Sequence, residues 1–510
     1  MTPLFKASRM LLGSLLCVLL VGCAPTLQPV QTPEVLEDAR MGSPLDLGWD
    51  TRELFRPGLV TSAQGVLETM SQAPVYHVEI QIKDDMSAVL GTAEVRYANR
   101  AEGLLEEIYF RLYTNTSGAA AVVTEMRVDD APVEAQLEFA NSAVRVSLPQ
   151  PLESGQSTVI SFDFASTIPQ EMGGNYGLFG YFDGILVLDE IIPAIPVYNQ
   201  DGWQVEVPPP NGDLSFYDAS YYVVQVAAPA EMQLIGSGSV VSRRQEGDTQ
   251  IVTFAAGPIR DFYLAASELF VCVSETRGET TLNSCVVEGY EDGARDVLQN
   301  ALDSLASFEG RIGLYPYTEL DLVSTPMQAL GMEYPGVAAM ALDLYDPQVS
   351  IRGVPVSVVR PSVVAHEVAH QWFYNVVGNN QIDEPWLDEA MAQYFTAMYY
   401  ADTFGPGAET SYRESWEERW GRVDFADIPI GLPAGEYEGL EYGAIVYGRG
   451  PLFVASLREA MGDKAFDQFI RDYFATYSWD IATARGFHAL AEQHCQCDLT
   501  GLFEEWVYAP

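Results

Sequence analysis

The chain has 510 residues, 48% of them hydrophobic, which is enough for two to four domains with packed cores. Its 71 acidic residues against 27 basic ones give a formal charge of −44, which argues against nucleic acid as a partner, because almost nothing is available to neutralise phosphates. With Lys6, Lys83 and Lys464 its only lysines, the surface suits plain solvation, high salt or a cationic substrate, and composition does not choose among these.

The first 23 residues read as a targeting segment. Lys6 and Arg9 form a positive start and Met10 to Val21 a short apolar run. Leu20-Val21-Gly22-Cys23 then ends the segment on small residues before a cysteine. This resembles the lipobox of bacterial lipoproteins, in which the cysteine, here Cys23, is lipidated and becomes the N-terminus. A cleaved signal peptide or a spanning helix fits less well, since the apolar run is short for a bilayer. Residues 24–68, with Pro25, Pro29, Pro33, Pro44 and Pro57 and little periodicity, read as a tether that becomes ordered near its end.

From 69 to 266 the pattern is that of strands. Val75 to Ile82, Thr92 to Tyr97, Val144 to Leu148, Thr158 to Phe162, Tyr221 to Val226 and Ile251 to Phe254 alternate or run apolar between Gly and Pro clusters, which predicts an antiparallel β domain. His77 lies within a strand and reads as an ordinary core position. Beyond Cys17 and Cys23, four cysteines remain, in a chain whose leader sends it to a compartment where disulfides persist. Cys272 and Cys285 flank a hairpin-like turn and are able to pair across strands. Cys495 and Cys497 suit a local disulfide or free thiols, while a His494-Cys-x-Cys metal site lacks a completing ligand.

After 267 the character turns helical, with runs at Gly293 to Gly313, Trp386 to Tyr400, Tyr447 to Met461, Lys464 to Tyr477 and Arg485 to Gln493, and strand-like Leu320 to Val323 between the first two. The informative stretch is His366-Glu367-Val368-Ala369-His370, with Pro361-Ser362 as an expected helix start. On a helix, positions four apart lie about 40° apart on one face, so two imidazoles can hold one ion, while Glu367 sits about 100° round. Two nitrogen ligands, a third ligand from elsewhere, an open position and a carboxylate able to take a proton from water are the needs of a zinc hydrolase. Glu389, nineteen residues after His370 and in the first turn of the next predicted helix, is the candidate third ligand. His488 and His494 read as surface or packing residues.

His366, Glu367, His370 and Glu389, with Trp386-Leu387 before the last, meet the pattern of the aminopeptidase N and leukotriene-epoxide hydrolase family of zinc peptidases, which this chain resembles over about 70–510. Leu330-Gly331-Met332-Glu333-Tyr334 resembles that family's Gly-x-Met-Glu-Asn segment, and Tyr447-Gly448-Arg449-Gly450 its Tyr-Glu-Lys-Gly. The resemblance implies an N-terminal antiparallel β domain (69–266) and a thermolysin-like, mainly helical zinc-peptidase domain (267–510). It also implies one Zn2+ on His366, His370 and Glu389, with Glu367 as general base and Tyr447, or less well Tyr442, as hydroxyl donor to the oxyanion. Gly331, Met332 and Glu333 would hold the substrate's free amine. Asp183 and Glu190 are the candidates for a further acidic group from the β domain. Leu330 and Tyr334 depart from the family segment, and Gly448 and Arg449 from the second, which bears on side-chain preference. Large members of the family continue into a helical C-terminal domain, so ending at Pro510 implies a more open cleft.

The reading is therefore a lipid-anchored zinc aminopeptidase of the cell envelope that acts on peptides outside the cytoplasm. Its rivals are a zinc endopeptidase or other small-substrate hydrolase, and a non-catalytic surface-anchored binding protein on a peptidase fold.

Overall fold

The computed structural model describes residues 42–508 apart from 174, 210 and 211. Cys23 and the leader lie outside the described residues. The β half holds an eight-stranded sheet in which Val75–Ile82 pairs antiparallel with Ala88–Ala98 and parallel with Ser220–Pro229; the remaining ladders are antiparallel. Its strands bury alternate residues, as in Ser157–Thr167, where Thr158, Ile160, Phe162 and Phe164 face the core. A smaller four-stranded sheet carries Phe179–Phe182 and Ile185–Leu188, and the chain leaves it at Asp189 and Glu190. His77 is buried and stacked on Trp49, with ring centroids 4.4 Å apart, as an ordinary core residue.

Trp49 belongs to the stretch expected as a tether, and from residue 43 onward that stretch is structured. Short 3-10 turns bury Phe55 and Leu59, and Val60 N–H donates to Pro316 O at 2.9 Å, so the segment is pinned to both halves of the molecule. Apolar side chains at 55 and 59 outweigh the proline content that suggested a linker.

The C-terminal half is helical but rests on a five-stranded sheet. Its order is Phe270–Arg277, Thr280–Val287, Glu319–Thr325, Val337–Ala341 and, at the edge, Gly331–Tyr334. Cys272 and Cys285 face each other across the first pair and form a disulfide. Cys495 and Cys497 form a second, so neither is a metal ligand; His494 instead lies 3.1 Å from Asp472.

Three helices frame the site. Glu291–Arg311 lies on the sheet, Val356–Ala369 carries the histidine pair, and Trp386–Phe404 starts with Asp388 and Glu389. The last is apolar almost all round and buried from Trp386 to Tyr399, a core helix that fixes its first turn rigidly. The histidine helix begins at Val356, not at Pro361, which lies inside it. Pro361 is past the first turn, so its ring removes one backbone hydrogen bond that the helix goes without. The halves are joined by Arg260, whose buried guanidinium donates to Tyr217 O, Tyr374 O, Asn375 O, Val376 O and Asp480 O at 2.7–3.2 Å.

Candidate metal centre and amine-binding cavity

His370 caps its helix in a helical conformation, and its N–H still reaches His366 O. The two Nε2 atoms are 3.2 Å apart, and Glu389 Oε2 lies 3.0 Å from the first and 3.5 Å from the second. Tetrahedral bonds of about 2.0–2.2 Å put donor atoms about 3.3–3.6 Å from one another. Glu389 Oε2 is buried without a hydrogen-bond partner, a state that costs about 1–3 kcal/mol or more unless something occupies it. The donor set therefore fits a divalent metal ion.

Outer groups aim these donors. His370 Nδ1 lies 3.1 Å from Phe373 O, so its N–H donates there and leaves Nε2 free, and the Gln393 amide lies 3.3 Å from His366 Nδ1 and is itself held by Tyr412 OH at 2.7 Å. Burial works against the charge on Glu389, and the imidazoles of His366 and His370 overcome it, holding the carboxyl below the ordinary range. Burial, helped by the charge of Glu333, raises Glu367 well above the ordinary value.

Glu333 sits on the edge strand beside this set. Glu333, His370 and Asp388 each bring a donor atom within 4.8 Å of the others, so they form a second conceivable metal group. Gln381 Nε2, however, donates to Glu333 Oε1 at 3.2 Å and to Asp388 Oδ2 at 2.8 Å, which engages both carboxylates, whereas Glu389 Oε2 stays unengaged. Gln371 ties the edge strand to the helix end, donating to Tyr334 O and accepting from Gly336 N–H, each at 2.9 Å. A Cβ at Gly331 would collide with the Glu367 carboxyl, so glycine there lets the strand lie against the candidate base. Met332 and Glu333 line a small cavity reaching away from the metal donors.

Tyr447 lies in a π-helical turn, Ile445–Arg449, a kind of irregularity that recurs at functional sites. Its ring is 5.9 Å from that of His366, and its hydroxyl donates to Glu389 Oε1 in this structure. Tyr442 packs 5.8 Å from Tyr447, with a buried hydroxyl that has no partner. Of the two acidic candidates from the β domain, Asp183 is exposed in the turn between strands and lies away from the site, while Glu190 lines the cavity.

Sequence spacing did not single out Gln381, Gln393, Asp189, Asp213, Tyr374 or Arg260. Tyr374 takes a positive φ of 112° beyond the helix, a feature that no local sequence pattern announces.

The peptidase family M1 domain matches residues 298–506, a span holding the three donors, Glu333, Glu367 and Tyr447. Residues 298–506 thus carry a peptidase family M1 domain. Among curated relatives, the probable aminopeptidase 2 of Sulfurisphaera tokodaii is 25% identical over 309 residues, covering 56% of this chain and 38% of that protein. Human aminopeptidase RNPEPL1 is 31% identical over 163 residues, 29% of this chain and 22% of its own length. The chain thus spans well under half the length of these curated relatives. An M1 zinc metallopeptidase from Deinococcus radiodurans superposes with a TM-score of 0.62 at 18% identity over 86% of this chain and 95% of that one; a mutant of it bound to a Tyr-Ser-Ala substrate gives 0.63. At that identity the likeness establishes the M1 fold, β half included.

Proposed function

We propose that this chain is a zinc-dependent aminopeptidase that removes the first residue from peptides. The observation that carries the reading is the position of Glu333: a buried carboxylate that brings a donor atom within 4.8 Å of one on His370, beside the metal donors. A free α-ammonium paired there is held by a charge-assisted bond at one fixed distance from the donors, so a chain terminus binds productively and an internal peptide bond does not.

His366, His370 and Glu389 would hold the zinc. Zinc held there supplies Lewis acidity, which makes water a competent nucleophile near neutral pH. Glu367, buried and with its proton affinity raised, takes a proton from the attacking water and delivers it to the leaving amine. Tyr447, whose hydroxyl donates to Glu389 Oε1, is placed to donate to the substrate carbonyl oxygen as that oxygen gains charge. The test is a pair of peptides differing only in N-acetylation: the free form is cleaved and its acetylated twin is not. Equal cleavage of both would make the protein an endopeptidase, and zinc without turnover of either would make it a binding protein.

We also propose that Cys23 carries a lipid anchor at the cell envelope, the site facing outside the cytoplasm. The leader pattern and the two disulfides support this, and among the described residues no helix is long and apolar enough to cross a membrane. Cys23→Ser should release the protein from the membrane fraction.

A further inference from the structure

His366 meets a side chain that no spacing announced. Gln393, one turn beyond Glu389 on the same buried helix and 4% exposed, brings its amide 3.3 Å from His366 Nδ1, and the other atom of that amide lies 2.7 Å from the Tyr412 hydroxyl. Tyr412 belongs to the next helix, Pro406–Trp420, and stacks on Tyr400 with ring centroids 4.8 Å apart. The same helix holds Arg419, which donates to Tyr447 O at 3.2 Å. A Cβ at Gly448 would lie 2.9 Å from both Trp416 O and Trp420 N, so close packing of this helix excludes the glutamate that the family resemblance would place there. One helix therefore braces both the partner of His366 and the turn that carries Tyr447.

An amide presents an acceptor on one side and donors on the other, so its contact with His366 runs in one of two senses. With the NH2 facing the ring, Nδ1 would accept and the ring proton would sit on Nε2, the atom whose lone pair a metal needs. With the carbonyl facing it, Nδ1–H donates and Nε2 is left free. His370 follows the second pattern, with Phe373 O as its acceptor.

The second sense also closes on the far side. The Gln393 NH2 then donates to the Tyr412 oxygen, and the Tyr412 proton goes to the neighbouring hydroxyl of Thr396, which gives its own proton to Ala392 O at 2.8 Å. Every proton in the row finds an acceptor, as buried polar groups require.

We propose that Gln393 is the positioning residue that fixes His366 in its metal-binding form, presenting its carbonyl oxygen to Nδ1–H while Tyr412 accepts from its amide. The inference rests on zinc at His366, His370 and Glu389 and is independent of which bond the protein cleaves.

The test is the zinc dissociation constant of the full chain, measured by competition with a chelator, in wild type, Gln393→Met and Gln393→Glu. Methionine keeps the length of the side chain but offers no oxygen, and should loosen zinc about 10–100-fold. Glutamate returns an oxygen to Nδ1–H and should stay within about threefold of wild type or bind tighter. A methionine variant within about threefold of wild type overturns the proposal, and so does a glutamate variant loosened as far as methionine, since bulk and not the acceptor would then matter. Tyr412→Phe leaves Gln393 in place and reads the same row from its far end, which keeps the test open if Gln393→Met does not fold; it should loosen zinc by about threefold or more, and an unchanged constant counts against the proposal in the same way. Wild-type protein that holds no zinc removes the metal centre and this inference with it, whereas zinc held with the predicted ranking of variants but no peptide cleaved upholds the inference and fails only the aminopeptidase.

Discussion

The metal donors and the acid cavity meet at Glu333 and His370, but they are assembled in different ways. The donors come from the end of one helix and the first turn of the next, and each rests on a specific outer partner: Phe373 O, Gln393 or Tyr447. The cavity is gathered from five separate segments, at 176–190, 212–215, 332–334, Tyr374 and Gln381. A site that must bind one invariant ion is built from neighbours in sequence on a buried helical frame. The cavity lies where unrelated loops converge, and most of its acids are engaged by neighbouring side chains.

If that contrast holds, variants of the donor side should abolish chemistry, and variants of the cavity side should change which substrates are used. The largest effect falls on His370→Ala, which removes a donor and leaves Glu389 uncompensated; zinc content by metal analysis should fall far below one per chain and turnover to background. Glu367→Gln should keep its zinc yet lose about 10²–10⁴ in kcat, a split that separates the base from the ligands. Tyr447→Phe should cost about 10²–10³ in kcat with zinc retained. Glu333→Ala should narrow the gap between a free peptide and its acetylated twin by raising KM for the free one, without loss of metal.

The smallest effect serves as a control on buried acids outside both regions. Glu319 and Asp321 share the amide of Asn283, at 3.1 and 2.7 Å, and burial raises them to about 8 and about 7. Both values lie above those of the unfolded chain, so the native state holds more protons there, and its stability falls as pH rises from about 5 to about 8. Asp321→Asn should flatten that fall by a few degrees in Tm between pH 5 and pH 8, at about 2–4 °C per kcal/mol.

The difference in construction also explains what the sequence disclosed. His366 and His370 were legible because a helix converts a spacing of four into a shared face, and Glu389 because it falls in the first turn of the next helix. Glu333, Gly331 and Tyr447 were legible only through resemblance to a family, since nothing local distinguishes Glu333 from an ordinary strand end. Asp189 and Asp213 were invisible, because they meet Glu333 only across more than a hundred residues of chain, and Gln381 because it reaches Glu333 from 48 residues away. Pro361 misled for a simpler reason: prolines often open helices, but this helix starts at Val356 and carries its proline in the second turn. The strap at 43–69 was read as a tether because prolines hid the buried Phe55 and Leu59.

The central claim, that two imidazoles and one carboxylate converge on a single metal beside Glu333, is tested most directly by diffraction from crystals of the full chain at the zinc absorption edge. One anomalous peak bonded to His366 Nε2, His370 Nε2 and Glu389 Oε2, with Glu333 outside its coordination, is the predicted result. A peak held instead by Glu333, His370 and Asp388, or none in protein that still cleaves peptides, would contradict it.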